Sequence, residues 1–437
     1  MRLQSSPTRS LVPVILVSIV AGAVLAIVLV LLFAREGSEP LVTSSVLLAF
    51  GLGWALMAYF ADRFGGQPQR WMFVPAAALL VTGLVLVVLQ PGPLLMDVAS
   101  WVWPVALAAL AIWMFVQMRR QLLGRGRWLV GGLIAALLLI AVAGGLKTVG
   151  TAITPRPAAS GQLVDVGGRS LYLECTGSGS PAVILQAGLG NSATAWDRIA
   201  PTVAQSTTVC AYDRAGHNRS DEAPGPQDGV AVAKDLHDLL AKAGIDAPYV
   251  MVGHSSGGPY VRDYFASYLD DVVGMVFLDS QPPDAFTALP EYPAFYKNYA
   301  LLAGIAPSLA RVGLLGPILG VSGSEATIAA ARGGRDEVRA LPTVLDQAAA
   351  VTSIGDRPLI VISAAPGSQP GWIEAQARLA GISTSAVQRV LDATHESVIL
   401  GDDAPASAQA ILDVLAAVRG GGRVAGLMLA QAMFRSQ

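Results

Sequence analysis

The hydrophobic residues divide this chain into two parts with different patterns. In the first third, long apolar runs are separated by short loops, and each run has close to the ~20 residues that a bilayer-spanning helix needs. The first run is too long for the apolar core of a signal peptide, and four more follow it. The pattern therefore predicts five transmembrane helices, at 11–33, 41–61, 72–89, 98–116 and 128–146.

The pattern changes after a short Pro-containing stretch, 149–160, that is typical of a linker. Short apolar runs now alternate with amphipathic segments, which predicts a mostly parallel α/β sheet. The predicted strands are 162–166, 170–174, 182–186, 207–213, a strand ending at Ser255, 272–278, 358–363 and 387–393. The predicted helices are 193–205, 230–243, one from the Ser255 turn to about 269, 372–380 and 406–419. Residues 281–355 contain no clear strand and predict a helical insertion.

The predicted domain organisation follows from these two patterns. Residues 1–148 are expected to form a transmembrane domain, 149–160 the linker, 161–421 the α/β domain with a lid at about 281–355, and 422–437 a tail. Composition agrees, because only 14% of the 437 residues are charged, against about 25% in ordinary globular chains. The formal net charge of −2 argues against nucleic-acid binding.

Arginines in the short loops predict the orientation of the membrane part. Loops rich in arginine alternate with loops that are poor in it, as expected for an N-terminus on the cytoplasmic side. Five crossings then place 161–421 outside the cytoplasm. The arginines that support this orientation are Arg2, Arg9, Arg63, Arg70, Arg119, Arg120, Arg125 and Arg127.

One stretch, 249–258, carries the strongest chemical signal. Gly253-His-Ser-Ser-Gly257 has the pattern G-x-S-x-G, with an apolar strand before it and a helical pattern after it. In such a turn the apex backbone is strained, and glycines two residues to either side avoid a collision. The pattern predicts Ser255 as a nucleophile, and a plain structural turn is the alternative.

A serine nucleophile requires a base, an acid that orients the base, and donors for the oxyanion. After Ser255 the chain has a single histidine, His395, which follows the last predicted strand and is the predicted base. Three carboxylates compete for the role of acid. Asp279, at the end of strand 272–278, is favoured over Glu374 and Asp392, and a helix cap is the structural alternative for Asp279.

The oxyanion donors are expected to be the backbone N–H groups of Ser256 and of Leu189, in the Gly-rich turn after the third strand. His254 is interpreted as a packing residue whose side chain points away from the site. Asp213 and Arg214 are expected to hold their own loop. The four histidines of the chain lack the spacing of a metal site, and the chemistry needs no cofactor.

Residues 161–420 resemble the α/β-hydrolase superfamily. The resemblance rests on Ala187-Gly-Leu-Gly190, on the run from Tyr212 to Asp221, on the Ser255 turn and on His395. It implies an eight-stranded sheet with the lid between the sixth and seventh strands. This chain departs from the family in lacking the usual His-Gly before the oxyanion turn and a carboxylate at the usual acid position, so Asp279 would be a variant placement.

The resemblance also bears on the two cysteines. It implies that the second and fourth strands are neighbours, and these carry Cys175 and Cys210. A disulfide is possible outside the cytoplasm, and two buried thiols are an equally open alternative.

The serine nucleophile is similar to that of esterases, lipases and peptidases of the family, whereas its dehalogenases and epoxide hydrolases use aspartate. A membrane-anchored ester hydrolase is therefore the predicted function, acting on a small-molecule or lipid-like ester and contacting lipid through the N-terminal helices. An iminopeptidase-like enzyme, with Glu291 or Glu325 holding a free amine, and a non-catalytic ligand-binding or sensor domain are the alternatives. An apolar acyl or leaving group is favoured by the lid aromatics, which are Phe286, Tyr292, Phe295, Tyr296 and Tyr299.

Overall fold

The computed structural model describes residues 10–64, 69–153, 160–320, 327–421 and 424. The chain forms two compact units, 1–156 with 300–331 and 157–299 with 332–437. Residues 300–331, expected in the lid of the α/β domain, thus belong to the first unit. Most of the predicted tail and residues 154–159 of the predicted linker lie outside the described residues, and 151–153 continue the preceding helix.

All five predicted apolar runs form long helices. Their bounds are α1 Val12–Phe33, α2 Glu39–Phe64, α3 Phe73–Leu89, α4 Pro93–Gln121 and α5 Gly126–Ile153. Three of them, α2, α4 and α5, extend beyond the apolar run at both ends, because hydropathy marks the membrane-crossing part of a helix and not its termini. Within the described residues, five helices are long and apolar enough to cross a membrane.

Small residues let α1 and α2 approach closely. A Cβ added to Gly22 would lie 3.3 Å from the Ala49 carbonyl oxygen, and one added to Gly53 would lie 3.1 Å from the Ser18 carbonyl oxygen. Helices in lipid associate through such small-residue interfaces, since lipid supplies no hydrophobic driving force between them. The outward faces instead carry exposed Val, Leu and Ile side chains.

The first unit also contains a buried ion-pair cluster around Arg311. This arginine is 5% exposed, and its Nε donates to Oε1 of Glu39 at 2.6 Å. It further donates to the Met96 carbonyl oxygen at 2.6 Å, to Oδ1 of Asp97 at 3.1 Å and to the Ser100 hydroxyl. The chain around Arg311 is therefore held to the N-terminal parts of α2 and α4.

Replacing Arg311 by methionine is expected to lower the stability of the chain by roughly 3–5 kcal/mol, because the buried Glu39 carboxylate would lose the ion pair with the Arg311 guanidinium. The measurement is the midpoint of thermal unfolding in detergent. The control is the double variant Arg311→Met with Glu39→Gln, which removes both charges and is expected to recover part of the loss. A single variant that unfolds at the wild-type temperature would contradict this account of the cluster.

The second unit is built on one eight-stranded sheet with the order β1-β2-β4-β3-β5-β6-β7-β8. Strands β1 and β2 pair antiparallel with each other and β2 antiparallel with β4, and the other pairs are parallel. The bounds are β1 Gln162–Asp165, β2 Ser170–Thr176, β3 Ala182–Gln186, β4 Val209–Tyr212, β5 Tyr249–His254, β6 Val272–Leu278, β7 Leu359–Ala364 and β8 Ala386–Leu391. This sheet confirms the predicted fold class, and the predicted strands are present with shifts of up to two residues at their ends.

Helices cover both faces of the sheet and fill the insertion between β6 and β7. They are α6 Ala200–Val203, α7 Gly229–Lys242, α8 Gly257–Ser267, α9 Ala285–Ala288, α10 Tyr292–Arg311, α11 Leu315–Leu319, α12 Ile328–Ala349, α13 Trp372–Ala380, α14 Ser397–Leu400 and α15 Ala404–Gly420. The prediction of one helix over 193–205 was wrong. That segment forms a 3-10 turn, Ala193–Trp196, and the separate helix α6, because Pro201 lacks an N–H and suits only a first helical turn.

Two hydrophobic cores lie on the two faces of the sheet. Successive side chains of a strand point to opposite faces, so Val183 and Leu185 join one core while Ile184 joins the other. The strands β3, β5 and β7 are buried at every position, as expected for parallel strands covered on both sides. Cys175 and Cys210 face each other across β2 and β4 and form a disulfide.

Candidate active site

Ser255 lies at the sharp turn between β5 and α8. Its φ of 54° is in the left-handed region, which is costly for a residue with a side chain. The flanking glycines permit this geometry: a Cβ at Gly253 would lie 2.6 Å from the backbone of Gly258, and one at Gly257 would lie 2.1 Å from the Gln186 carbonyl oxygen. Residues larger than glycine would therefore collide at both positions, as the sequence pattern predicts. Ser255 itself is partly exposed.

The backbone of Ser255 is tied to the segment that follows β6. Its N–H donates to the Leu278 carbonyl oxygen at 3.3 Å. Its carbonyl oxygen accepts from the Gln281 N–H at 2.8 Å and from the Ser280 hydroxyl at 3.1 Å. The turn that presents Ser255 and the turn that carries Asp279 are therefore held together by three hydrogen bonds.

Asp279 and His395 form a direct pair. Oδ2 of Asp279 lies 2.6 Å from Nδ1 of His395. The other carboxylate oxygen, Oδ1, accepts from the Ala364 N–H at 2.9 Å and from Nε1 of Trp372 at 2.7 Å. Asp279 is 3% exposed and has a φ of 43°. Both carboxylate oxygens thus have fixed partners, which orients the imidazole ring.

Among the described residues, neither of the other two candidate acids forms a hydrogen bond or an ion pair with His395. Glu374 on α13 and Asp392 after β8 are both exposed residues. Asp279 is instead buried, because it directly follows the central strand β6 and is covered by Trp372. Of the three carboxylates considered from the sequence, the structure brings Asp279 to His395.

A second histidine contacts His395. The rings of His254 and His395 have centroids 4.7 Å apart, and Nε2 of His254 lies 3.0 Å from the His395 carbonyl oxygen. His254 is buried, as a packing residue should be, but the expectation that it points away from the site was wrong. Burial first, and then the neighbouring His395, lower the pKa of His254 to about 3, so this ring stays neutral and packs against His395.

The charge state of His395 is set by opposing effects. Burial lowers the pKa of His395. The hydrogen bond to Asp279 and the negative charge of Asp279, with a smaller contribution from Glu396, raise it by a larger amount. The net pKa of His395 lies above the ordinary value of 6.5. A general base with a pKa near the working pH can both accept and return a proton.

The Gly-rich turn after β3 lies beside the serine. A Cβ added to Gly188 would be 3.0 Å from Cβ of Ser255 and 3.0 Å from Nδ1 of His254, so a larger residue would push against both side chains. Leu189 follows at the surface of the turn and is partly buried. Ser256 occupies the N-cap position of α8, where backbone N–H groups have no partner within the helix. Both predicted oxyanion donors thus belong to segments that flank Ser255.

The contacts of three residues in and around this site were not predicted from the sequence. Trp372 donates to Asp279, and no local pattern marks a helical tryptophan for that role. Arg214, expected to hold its own loop, instead donates to the carbonyl oxygens of Ala187 and Gly188 in the oxyanion turn. Glu337 on α12 pairs with Arg214 and was not identified from the sequence at all. Asp213 does hold its loop, through the Arg219 N–H at 3.2 Å.

An apolar cluster borders the oxyanion turn. Its buried members come from α9, α10, α12 and α13, and Leu189 packs against it together with Phe286 and Tyr296. The Phe286 ring makes edge contacts with Tyr292 and Tyr296, with centroids 5.0 Å apart in both pairs. The side of the site next to Leu189 is therefore aromatic and aliphatic.

The comparison with known families agrees with this architecture. Residues 181–313 match the model of a family described as "alpha/beta hydrolase fold". Together with the strand order and the helical insertion between β6 and β7, this match shows that the second unit has the α/β-hydrolase fold. The chain therefore combines a domain of this fold with five long apolar helices.

Individual relatives cover only parts of the chain. "Probable transporter efuK" of Hormonema carpetanum is 31% identical over 136 residues, which are 29% of this chain and 20% of that protein. Fluoroacetate dehalogenase of a Burkholderia species is 31% identical over 126 residues, 28% of this chain and 41% of that protein. The chain thus spans less than half of the length of these curated relatives. A thermophilic esterase of Thermogutta terrifontis superimposes with a TM-score of 0.48 at 20% identity, covering 60% of this chain and 99% of the esterase.

Proposed function

We propose that this chain is a membrane-anchored serine hydrolase that cleaves a carboxylic ester through an acyl-enzyme at Ser255. The observation that carries the proposal is the Asp279–His395 pair, 2.6 Å apart, whose Asp279 turn is hydrogen-bonded to the strained Ser255 turn. A serine at this position favours acyl transfer over dehalogenation or epoxide opening, for which the superfamily uses aspartate.

The proposed reaction has two halves. Oγ of Ser255 attacks the ester carbonyl carbon, while Nε2 of His395 takes the hydroxyl proton and Asp279 holds the imidazolium through Nδ1. The negative charge on the former carbonyl oxygen is stabilised by the N–H groups of Leu189 and Ser256. The tetrahedral intermediate expels the alcohol, which receives the proton from His395. Water, deprotonated by His395, then attacks the acyl carbon, and the acid leaves as Ser255 regains its proton.

The apolar cluster beside Leu189 supports an ester with an apolar acyl or alcohol group. Burying such a group against Phe286, Tyr292 and Tyr296 contributes roughly 25 cal/mol per Å² of apolar surface. The alternative of an iminopeptidase has less support. Glu291 is exposed, and Glu325 lies outside the described residues.

The direct test is to incubate the purified full chain in detergent with a panel of candidate substrates and to measure the turnover of each. The panel consists of p-nitrophenyl acetate, butyrate and octanoate, proline p-nitroanilide and fluoroacetate. We expect turnover of the esters, faster for butyrate or octanoate than for acetate. Turnover of the anilide alone would favour the peptidase, fluoride release would favour dehalogenation, and binding of esters without turnover would favour a ligand-binding domain.

We also propose that the hydrolase domain lies outside the cytoplasm. Five candidate spans, an arginine distribution typical of a cytoplasmic N-terminus and a disulfide between Cys175 and Cys210 all support this orientation. Protease added to spheroplasts, whose cytoplasmic membrane is intact, is expected to digest 160–299 and 332–421 and to spare the five apolar helices. Protection of the hydrolase domain until the membrane is lysed would contradict the orientation.

A further inference from the structure

The oxyanion turn is held from behind by a buried arginine. Nη1 of Arg214 donates to the Ala187 carbonyl oxygen and Nη2 to the Gly188 carbonyl oxygen, both at 2.7 Å. The guanidinium is 3% exposed and lies over the Tyr260 ring, 5.1 Å from its centroid. A planar fork of donors on two consecutive carbonyl groups fixes the orientation of the peptide planes that contain them.

The orientation of one of these peptide planes decides where the Leu189 N–H points. The Gly188–Leu189 peptide is trans, so its C=O and N–H groups point in opposite directions. Two donors hold the Gly188 carbonyl oxygen, Nη2 of Arg214 at 2.7 Å and the Asn191 N–H at 3.2 Å, so the Leu189 N–H is directed away from both. Gly188 itself lies against Cβ of Ser255. Arg214 therefore helps to fix the direction of the Leu189 N–H at a position next to the proposed nucleophile.

A glutamate from the insertion completes this arrangement. Glu337 on α12 pairs through Oε1 with Nε of Arg214, and the same oxygen lies 3.1 Å from Nε2 of the buried His217. Its second oxygen, Oε2, accepts from the Gly190 N–H at 2.9 Å. Glu337 thus neutralises the arginine behind the turn and also binds the turn directly, on the far side of Leu189.

Charge balance requires this glutamate. Burial raises the pKa of Glu337, but the positive charge and hydrogen bond of Arg214, together with the neighbouring His217, lower it well below its usual range, so the carboxylate is ionised. A buried guanidinium without a counter-ion is strongly destabilising. Without Glu337, Arg214 would be expected to shift towards water and release the two carbonyl groups that it holds.

We infer that Glu337 is a positioning residue that acts through Arg214 and Gly190 to aim the Leu189 N–H at the oxyanion. The inference rests on the proposed function, because an oxyanion forms only if Ser255 attacks an ester. The inference gives α12, a helix of the insertion, a role in positioning an oxyanion donor.

The test compares Glu337→Gln and Arg214→Lys with the wild-type full chain in detergent. A glutamine has one acceptor oxygen, so it can serve Arg214 or the Gly190 N–H but not both. A lysine keeps the positive charge for Glu337 but cannot hold two carbonyl groups with a planar fork. We expect kcat for p-nitrophenyl butyrate to fall about 10²-fold in each variant, as for the loss of one oxyanion donor, with KM changed less than about threefold. The rate of phosphonylation by a fluorophosphonate is expected to fall in parallel.

A matched control separates positioning from stability. The pair between Arg389 and Asp413, 2.5 Å apart, is a buried ion pair in the same domain that connects β8 to α15. Asp413→Asn is expected to lower the unfolding temperature while kcat stays within about twofold of wild type. The inference is overturned if wild type hydrolyses the ester and either folded variant keeps a wild-type kcat, or if KM alone changes. A wild-type chain that neither hydrolyses esters nor reacts with the probe would instead overturn the proposed function itself.

Discussion

Replacing Ser255 by alanine is expected to reduce kcat for p-nitrophenyl esters by at least about 10⁴-fold, because the variant has no group that can form the acyl-enzyme. The fold should survive, since alanine removes only the hydroxyl, and the hydrogen bonds that hold the turn involve the Ser255 backbone. The measurement is ester turnover under substrate saturation, with the unfolding temperature recorded for each preparation.

The control for this variant is Ser267→Ala. Ser267 lies at the end of the same helix, α8, is exposed, and donates only to the Asp263 carbonyl oxygen at 2.9 Å. Its loss should leave ester turnover unchanged. Turnover by Ser255→Ala within tenfold of wild type would contradict the assignment of the nucleophile.

Replacing Asp279 by asparagine is expected to reduce kcat by about 10³–10⁴-fold with little change in KM. The surrounding donors explain the size of the effect. Because the Ala364 N–H and Nε1 of Trp372 both donate to Oδ1, the amide oxygen of asparagine should take that position and its NH₂ group should face His395. Nδ1 of His395 must then accept, which places the proton on Nε2 and leaves no base for Ser255.

The pH profile gives this variant a second readout. The base must be neutral, so kcat/KM of wild type should rise with pH through the pKa of His395, which lies above 6.5. Asparagine removes the charge that raises this pKa while burial still lowers it, so the residual activity should begin at lower pH. The same raised pKa contributes folding stability below the unfolded-state value, and that contribution is lost as the pH rises through the folded-state value.

The two exposed carboxylates supply the controls for Asp279. Glu374→Gln and Asp392→Asn should both retain wild-type kcat and an unchanged pH profile, since both residues are exposed and it is Asp279 that pairs with His395. If Asp392→Asn or Glu374→Gln lost activity while Asp279→Asn kept it, the assignment of the acid would be wrong.

Local signals allowed much of this molecule to be predicted from its sequence. The five long helices follow from the length of apolar runs, and the strands from short apolar segments bounded by turn residues. The Ser255 turn was predictable because its glycines are required by contacts within a few residues, as at Gly253 and Gly257. The break in segment 193–205 was also visible in principle, because Pro201 is a local signal.

The remaining features depend on side chains that are far apart in sequence. Trp372 and Asp279 are separated by 93 residues, Glu337 and Arg214 by 123, and Arg311 and Glu39 by 272. No periodicity or motif marks such pairs, because each partner alone is typical of a surface charge or a packed aromatic. Asp279 was favoured over Glu374 and Asp392 from its place after β6, but its 2.6 Å contact with His395 is visible only in the folded structure.

The most direct test of the central claim is the site of covalent labelling by a fluorophosphonate, which reacts with activated serines. The labelled full chain is digested with trypsin, and the peptide 243–262, which contains both Ser255 and Ser256, is sequenced by mass spectrometry. The predicted result is a single phosphonyl group on Ser255 in wild type, strongly slowed in Asp279→Asn and absent in Ser255→Ala. A wild-type chain that stays unlabelled, or carries the label on a different residue, would contradict the proposal that Ser255 is the nucleophile of a serine hydrolase.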